Sequence, residues 1–182
     1  PNIIMVGEIR DAETAHIAVN TALTGHLLLS TLHTNDAATT LPRLLDMGIP
    51  EYLVASTINI AIAQRLVRKI CDECKERQNI SEAEKESLMK SVLGSLFKNE
   101  HQFYRGKGCI KCSGSGYRGR TSINEVLVAD ETIREAILRK APSSEIKNLA
   151  VKNGMTTMLE DGFEKAKAGT TTIEEILRVV NE

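Results

Sequence analysis

The four cysteines constrain the fold of this 182-residue chain more than any other feature, because they form two Cys-x-x-Cys pairs, Cys71–Cys74 and Cys109–Cys112. Two such pairs supply four thiolates, enough to close a tetrahedral zinc site with Zn–S distances of about 2.3 Å. Protein would fill all four zinc positions, so we expect a structural zinc and not a catalytic one. To form this site, the polar segment between the pairs must fold back on itself.

Two redox-active pairs, or four unrelated cysteines, are the alternatives to a zinc site. Disulfide frameworks are typical of small secreted domains. This chain is larger and has an ordinary globular composition, 42% hydrophobic and 26% charged, so metal binding is favoured. Segment 71–120 is too polar to build a hydrophobic core of its own, and metal binding would help to fold it.

Residues 1–70 alternate between short apolar runs and helical patterns. Ile3–Val6 and Leu27–Leu32 are continuous apolar runs, which are typical of buried parallel strands. Between them, Asp11 can cap a helix and Gly25 can end it. The apolar face of that helix, at i, i+3, i+4 and i+7 spacing, would be Ala15, Ala18, Val19 and Ala22. Strand–helix–strand alternation predicts a parallel sheet covered by helices, and therefore an α/β fold.

The pattern that follows predicts two further helices and another strand. Asp36 can cap a helix that ends at Gly48, and Pro42 should kink it or weaken its first turns. The run Ile49–Ala63 predicts a helix, and Leu66–Ile70 predicts a strand. The inward-facing residues of the first of these helices would be Leu41, Leu44 and Leu45.

Composition divides the rest of the chain in two. Segment 71–120 contains the cysteine pairs and one predicted helix, Ser81–Leu96, which opens at the capping box Ser81…Glu84. Segment 121–182 starts with a predicted strand, Thr121–Val128, and continues as a helical region. The predicted caps and stops of its helices are Asp130, Pro142 with Ser143 or Ser144, Gly154, Gly169 and the capping box Thr171…Glu174. We therefore predict three parts, 1–70, 71–120 and 121–182.

Polar side chains follow the two predicted parallel strands of the first part. Glu8 comes after the first strand and His33 after the second, and the carboxyl ends of parallel strands form the edge where ligands bind. His26 precedes the second strand, so we expect it about 23 Å from His33, at the opposite edge of the sheet. This position favours a role in packing or in a subunit contact. The alternative is that all three are ordinary surface residues at strand ends.

A glycine-rich stretch after the second cysteine pair, Gly114–Thr121, nearly matches the phosphate-binding pattern Gly-x-x-x-x-Gly-Lys-Ser/Thr. A phosphate loop follows a strand and opens a helix. This stretch follows Cys112, has Arg120 in place of the lysine and continues into a β-like sequence. We interpret its glycines as turns that lead out of a zinc knuckle.

Charge, aromatic content and hydropathy argue against nucleic-acid binding and against a membrane span. The net charge of −1 and the 3% aromatic content argue against direct nucleic-acid binding. No apolar run approaches the 18 or so residues that span a bilayer, so we predict no membrane span.

Three stretches resemble the secretion ATPase superfamily, whose members drive type II secretion, type IV pilus assembly and DNA uptake. They are Met5-Val-Gly-Glu-Ile-Arg-Asp-Ala-Glu-Thr-Ala15, Leu23-Thr-Gly-His-Leu-Leu-Leu-Ser-Thr-Leu-His-Thr-Asn35 and Ala63-Gln-Arg-Leu-Val67. The first is similar to the Walker B box of that family, and the second to its histidine box. The tetracysteine segment is similar to the one in secretion and pilus-extension ATPases.

The resemblance implies a partial RecA-like parallel sheet with an inserted zinc module and a C-terminal helical region. It implies a hexamer that uses ATP and Mg²⁺ and works in the cytoplasm, at the inner membrane, on a platform protein of a pilus or secretion system. Glu8 would polarise the attacking water or help to hold Mg²⁺, with His33 as a second catalytic residue. Arg10, His26 and Thr31 are candidates for nucleotide-side or subunit contacts.

The first residue is Pro1, and the chain has no phosphate loop before its first strand. We therefore expect it to be the C-terminal part of such a motor, and to lack ATP hydrolysis by itself. The alternative function is a non-catalytic, zinc-containing protein-interaction module.

Overall fold

The computed structural model describes residues 1–79, 81, 84–86, 90, 94, 96 and 102–180, and the structure is mixed α/β. The described strands are β1 (Ile3–Met5), β2 (Leu27–Leu29), β3 (Ile60–Ile70), β4 (Lys75–Gln78), β5 (Phe103–Gly106) and β6 (Tyr117–Val128). The described helices are α1 (Ala12–Leu23), α2 (Thr40–Asp46), α3 (Glu51–Thr57), α4 (Glu131–Leu138), α5 (Ser143–Lys152), α6 (Met158–Lys167) and α7 (Ile173–Val180). None of the described helices combines the length and the apolar character that crossing a membrane requires.

The strand–helix–strand prediction for the start of the chain is confirmed. β1 and β2 pair in parallel, with Ile3 opposite Leu27. The Asp11 side chain caps α1 by accepting a hydrogen bond from the Thr14 N–H at 2.8 Å. The chain leaves α1 at Gly25, whose φ of 90° is a left-handed conformation that glycine adopts without strain. The buried face of α1 comprises Ala15, Ala18 and Val19.

Two predicted helices within residues 1–70 have different bounds in the structure. α2 begins at Thr40, so Pro42 lies in the first helical turn, where a missing N–H removes no helical hydrogen bond. Asp36 caps the turn before α2, where it accepts from the Thr39 N–H at 2.8 Å. The predicted helix 49–63 was wrong in its second half, because α3 ends at Thr57 and β3 follows from Ile60.

The β3 residues explain why periodicity misled the helix prediction. The segment reads Ile-Ala-Ile-Ala, with the isoleucines exposed and the alanines buried, and this alternation is the period of a strand. A short apolar run fits either a helix or a strand until its burial is known.

Three predictions about the later segments can also be compared with the structure. The Ser81…Glu84 capping box is confirmed, since the Ser81 N–H donates to Glu84 Oε2 at 2.8 Å, although most of the predicted helix 81–96 lies outside the described residues. The predicted capping box Thr171…Glu174 was wrong by one residue, because Thr172 Oγ1 accepts from the Glu175 N–H at 3.2 Å. β6 starts at Tyr117, so the glycine-rich stretch enters a strand and not a helix.

Contacts group the chain into two compact units. Unit 1 comprises Pro1–Ala63 and Glu125–Met155, and unit 2 comprises Gln64–Asn124 and Thr156–Glu182. The division falls within β3 and β6. The fully buried side chains of unit 1 include Leu41, Val54, Ile133, Ile137 and Ile146. Unit 2 has a core cluster of Phe103, Phe163, Ala166, Ile173 and Ile176.

Candidate functional site

The four cysteine sulfurs converge in unit 2. Their Sγ atoms all lie within 4.8 Å of one another. The Sγ–Sγ distance is 3.8 Å for Cys71–Cys109, 3.9 Å for Cys74–Cys112 and 3.7 Å for Cys109–Cys112. A tetrahedron with Zn–S bonds of about 2.3 Å has edges of about 3.8 Å, so the four sulfurs match the size of a zinc site. All four cysteines are free of disulfide bonds.

Two short strands bring the cysteine pairs together. β4 and β5 pair in antiparallel fashion, with Lys75 opposite Gly106, so Cys74 lies immediately before one strand and Cys109 shortly after the other. Two further backbone bonds close the turn. The Lys107 N–H donates to the Cys74 carbonyl, and the Cys71 N–H donates to the Gly116 carbonyl, both at 2.9 Å.

Backbone N–H groups around the sulfurs donate hydrogen bonds that stabilise the thiolate form. Cys112 Sγ accepts from the N–H groups of Cys109 at 3.2 Å and Gly116 at 3.3 Å. Desolvation raises the pKa of the Cys112 thiol, but these donors outweigh it and lower the pKa to about 6. Desolvation and the neighbouring thiols raise the pKa of Cys74 to about 12, despite a hydrogen bond from the Gly108 N–H. The two N–H donors therefore favour the thiolate form of Cys112.

A polar cluster lies at the carboxyl ends of β1 and β2 in unit 1. His33 Nε2 lies 3.0 Å from Glu8 Oε2, and Arg10 Nη2 lies 2.7 Å from Glu8 Oε1. The side chain of Glu8 is 37% exposed, and those of Arg10 and His33 are more open still. The structure thus brings together Glu8, Arg10 and His33 from the two strand ends. Their catalytic and nucleotide-side roles stay predictions.

Backbone pairing beyond the two strands holds this edge. The Val6 N–H donates to the Leu29 carbonyl and the Ile9 N–H to the Thr31 carbonyl, both at 2.9 Å. The Thr31 hydroxyl donates to the Gly7 carbonyl at 2.8 Å. Thr31 therefore lies at the predicted edge, with its hydroxyl proton committed to the backbone.

The cluster keeps Glu8 ionised. The hydrogen bond from His33 and the positive charge of Arg10 lower the pKa of the Glu8 carboxyl, although partial desolvation opposes them. An ionised and partly exposed carboxylate can accept a hydrogen bond from water or bind a divalent cation. An exposed guanidinium beside it can contact an anionic group.

The other histidines lie elsewhere. His26 is half-buried at the amino end of β2, where its Nδ1 lies 2.9 Å from Thr24 Oγ1 and 3.3 Å from the Thr21 carbonyl. These contacts are local to the turn between α1 and β2. His16 is exposed on α1, and His101 lies outside the described residues.

Two buried carboxylates had no place in the sequence predictions. Glu125 of β6 is 2% exposed, and its Oε1 accepts from the Ala37 N–H at 2.8 Å. Glu175 of α7 is 1% exposed and pairs with Arg68 and Arg178, each at 2.6 Å. Strand alternation could have found Glu125, because it stands between two apolar positions of the buried face, Ile123 and Leu127.

Comparisons with known proteins agree on one family. The model for the family described as "Type II/IV secretion system protein" matches residues 1–178. The chain is 46% identical over 177 residues to the type IV pilus assembly ATPase PilB of Thermus thermophilus, and covers 20% of that protein while 97% of the chain is matched. It is 50% identical over 182 residues to the type II secretion system protein E of Xanthomonas campestris pv. campestris, and covers 32% of it with 100% of the chain matched.

A solved structure has the same fold. The ATPase DotB of Yersinia pseudotuberculosis matches with a TM-score of 0.65 at 21% identity, over 100% of this chain and 37% of that one. The chain thus spans between a fifth and about two fifths of the length of these three proteins.

Proposed function

Because the chain belongs to the Type II/IV secretion system protein family, we propose that it is part of a motor ATPase of type IV pilus assembly or type II protein secretion. The observation that carries the proposal is the Glu8–His33 contact of 3.0 Å at the carboxyl ends of two parallel strands. Ligand sites of open α/β sheets lie at that edge. The names of the two curated relatives, a pilus assembly ATPase and a type II secretion protein, support both cellular roles.

The finer parts of the proposal follow from the same resemblance. The parallel pair β1–β2 with α1 would belong to a RecA-like sheet, in a hexamer that binds ATP and Mg²⁺. The assembly would work in the cytoplasm on an inner-membrane platform protein. Neither a membrane span nor direct nucleic-acid binding is part of this proposal.

Each residue of the edge has a distinct role. Bound Mg²⁺ would supply charge neutralisation on the transferred phosphoryl group. The ionised Glu8 orients the attacking water by accepting its hydrogen bond. His33 holds the Glu8 carboxylate in place, and Arg10 offers a guanidinium to an anionic oxygen once it turns from Glu8. Thr31 fixes the backbone of the edge, and His26 acts in packing or in a subunit contact.

The cysteine set would hold one structural zinc. Cys71, Cys74, Cys109 and Cys112 supply the four ligands, and their mutual distances fit the ion. The zinc would stabilise the β4–β5 turn and take no part in phosphoryl transfer.

Replacing Glu8 tests the catalytic proposal. In a protein of the relatives' full length that contains these 182 residues, we expect Glu8→Gln to lower kcat for ATP about 100-fold and to spare nucleotide binding. The amide keeps the shape of the side chain but loses its charge. Steady-state phosphate release and equilibrium binding of a fluorescent ATP analogue measure the two effects. Unchanged turnover would contradict the role of Glu8, and a wild type that hydrolyses no ATP would leave the non-catalytic zinc module as the better function.

The histidines provide the matched comparison. His33→Ala should lower turnover, because it removes the contact that orients Glu8. His26→Ala should leave the turnover of well-formed oligomers nearly unchanged and act through packing or assembly. A deeper loss of turnover with His26→Ala than with His33→Ala would contradict the placement of His33 on the reactive edge.

Metal analysis tests the zinc proposal. We expect one zinc per chain by elemental analysis and four thiols that react with a thiol reagent only after chelation or denaturation. Four freely reactive thiols in a folded, metal-free protein would contradict it.

A further inference from the structure

Glu125 is a buried carboxylate that forms a hydrogen bond with a residue of unit 1 far from it in sequence. It lies in β6 at 2% exposure, between two fully buried neighbours, Ile123 and Leu127. Glutamate is rarely buried to this degree unless a partner requires it. One partner is the main chain, since Oε1 accepts from the N–H of Ala37, a residue 88 positions away in the sequence.

The segment that Glu125 contacts has no regular secondary structure to hold it. Residues 30–39, between β2 and α2, contain bends and turns but no helix or strand. The start of the segment is fixed by the Ile9 N–H, which donates to the Thr31 carbonyl at 2.9 Å. His33 lies in this segment, two residues after that bond.

The end of the segment is fixed by polar contacts around Ala37. Asp36 Oδ1 accepts from the Thr39 N–H at 2.8 Å, and Lys147 Nζ lies 3.5 Å from Asp36 Oδ2. Ala37 is fully buried, so its N–H has no water to replace Glu125. The Glu125 carboxylate is therefore the acceptor on which this buried part of the turn depends.

We propose that Glu125 is a positioning residue for the Glu8–His33 pair: by holding the Ala37 N–H, it fixes the loop that carries His33 to Glu8. The expected effect on ATP turnover rests on the proposed function. The expected effect on the order of the loop rests on the hydrogen bond alone. A residue needed only for packing at this strand position would be apolar, like its neighbours at 123 and 127. Glu125 instead supplies an acceptor for the buried N–H of Ala37.

Three variants separate the acceptor from charge and volume. Glu125→Gln keeps an acceptor oxygen at the same reach, Glu125→Leu keeps the volume without an acceptor, and Glu125→Asp keeps the charge but is one methylene shorter. In the full-length protein we expect Glu125→Leu and Glu125→Asp to lower kcat for ATP about tenfold with little change in KM, and Glu125→Gln to stay within about twofold of the wild type.

A double-mutant cycle tests whether Glu125 acts through His33. In a His33→Ala background, Glu125→Leu should lower kcat by less than about twofold further, because its route to Glu8 is already lost. Independent, multiplying losses would overturn the inference. Wild-type turnover for Glu125→Leu, beside slow turnover for His33→Ala, would overturn it and leave the proposed function standing.

Hydrogen exchange supplies a readout independent of catalysis. In the full-length wild type and in Glu125→Gln, the Ala37 amide should exchange slowly. In Glu125→Leu, or in Glu125→Asp if the leucine variant does not fold, residues 33–39 should exchange faster while α4 and α5 stay protected. Fast exchange of the Ala37 amide in the wild type would overturn the inference without any variant. If Glu8→Gln and His33→Ala keep full turnover, the proposed roles of Glu8 and His33 fail; if the wild type hydrolyses no ATP, the proposed function fails. In either case, exchange still decides whether Glu125 holds the loop.

Discussion

Glu175 is a single carboxylate that joins α7 to β3 within unit 2. Its Oε2 lies 2.6 Å from Arg68 Nη2, and its Oε1 accepts from the Arg68 N–H at 3.2 Å and lies 2.6 Å from Arg178 Nη2. Arg68 also lies over the ring of Tyr117, with its guanidinium carbon 4.2 Å from the ring centre. Both arginines remain about half exposed, so the fold buries the anion while the cations keep contact with water.

The pKa of Glu175 makes the stability of unit 2 depend on pH. Desolvation raises this pKa, but the hydrogen bonds from Arg178 and Arg68 outweigh it and lower the pKa from 4.5 to about 2. Because the folded pKa lies below the unfolded one, the ion pairs stabilise the fold fully above about pH 4.5, and the contribution disappears as the pH falls toward 2. After a discount for solvent around the arginines, it is on the order of 2 kcal/mol.

We therefore expect Glu175→Gln to lower the urea midpoint at pH 7, and the difference from the wild type to shrink between pH 4.5 and 2. Glu174→Gln, an exposed neighbour on the same helix, is the matched control and should follow the wild type. Far-UV circular dichroism at constant zinc measures the midpoints, and the difference between variants cancels the pH dependence of the metal site. A difference that stays constant with pH would contradict the ion-pair account.

Residues at strand ends could be predicted, and buried partners could not. The carboxyl-edge rule placed Glu8 and His33 at one edge, because it needs only local patterns and a parallel pairing. Glu125 and Glu175 make hydrogen bonds to residues 88 and 107 positions away, which no local pattern encodes. A charged residue in an apolar alternation signals that a partner exists, but it does not identify the partner.

At the scale of elements, the turn between β5 and β6 depends on two glycines. A Cβ atom added at Gly106 would lie 2.0 Å from the Gly116 carbonyl oxygen, so the two backbones touch. Gly116 also donates its N–H to Cys112 Sγ at 3.3 Å. The close approach of these glycines therefore positions one of the four sulfurs.

Gly106→Ala should loosen the metal centre. The added methyl group would push Gly116 and Cys112 away from β5, and we expect zinc affinity to fall at least about tenfold, as when support around metal ligands is lost. Gly119→Ala is the control, since its φ of 78° makes alanine strained while nothing lies within 4 Å of the added atom. Competition with a chromophoric chelator measures both affinities. Equal affinity for Gly106→Ala and the wild type would show that the backbone contact is dispensable.

Helix and strand boundaries could be predicted where a capping or terminating residue marks them, and not where tertiary pairing sets them. The Asp11 cap and Gly25 defined α1 correctly, because caps act within one turn. The boundary between α3 and β3 was missed, because no residue from Glu51 to Ala63 must break a helix. Pairing of β3 with β6 decided the strand. Just beyond the two strands, the Ala129 N–H donates to the Asn59 carbonyl at 2.9 Å.

At the scale of whole units, the β1–β2 pair has one apolar face open to solvent in the part of the chain described. Ile3 and Met5 are 60% and 74% exposed, and their register partners Leu27 and Leu29 are 53% and 51% exposed. The sequence predicted buried strands here, because both runs are apolar on both faces. A contiguous apolar face is a site of self-association.

We expect the 182-residue chain to associate with itself through this face. The double variant Met5→Thr with Leu29→Thr should reduce association at least about threefold, because it removes two neighbouring apolar side chains and introduces threonines, which are β-branched and favour strands. Val151→Thr, at an exposed valine on α5, is the control. Sedimentation velocity over a range of concentrations measures the effect. Equal association of the double variant and the wild type would place the contact on another surface.

The chain crosses between its two units after residues 63, 124 and 155, and this has a consequence for its synthesis. Phe103 leaves the ribosome well before Phe163, against which its ring packs edge-on at a centroid distance of 5.7 Å. The tetracysteine turn is thus complete, and able to take up metal, while the aromatic core beneath it is still untranslated. Unit 1, although interrupted by this turn, has all its residues once Met155 has been added. A chain released between Met155 and Met158 would contain every residue of unit 1 and of the tetracysteine turn, but not the helix α6 that packs against Phe103.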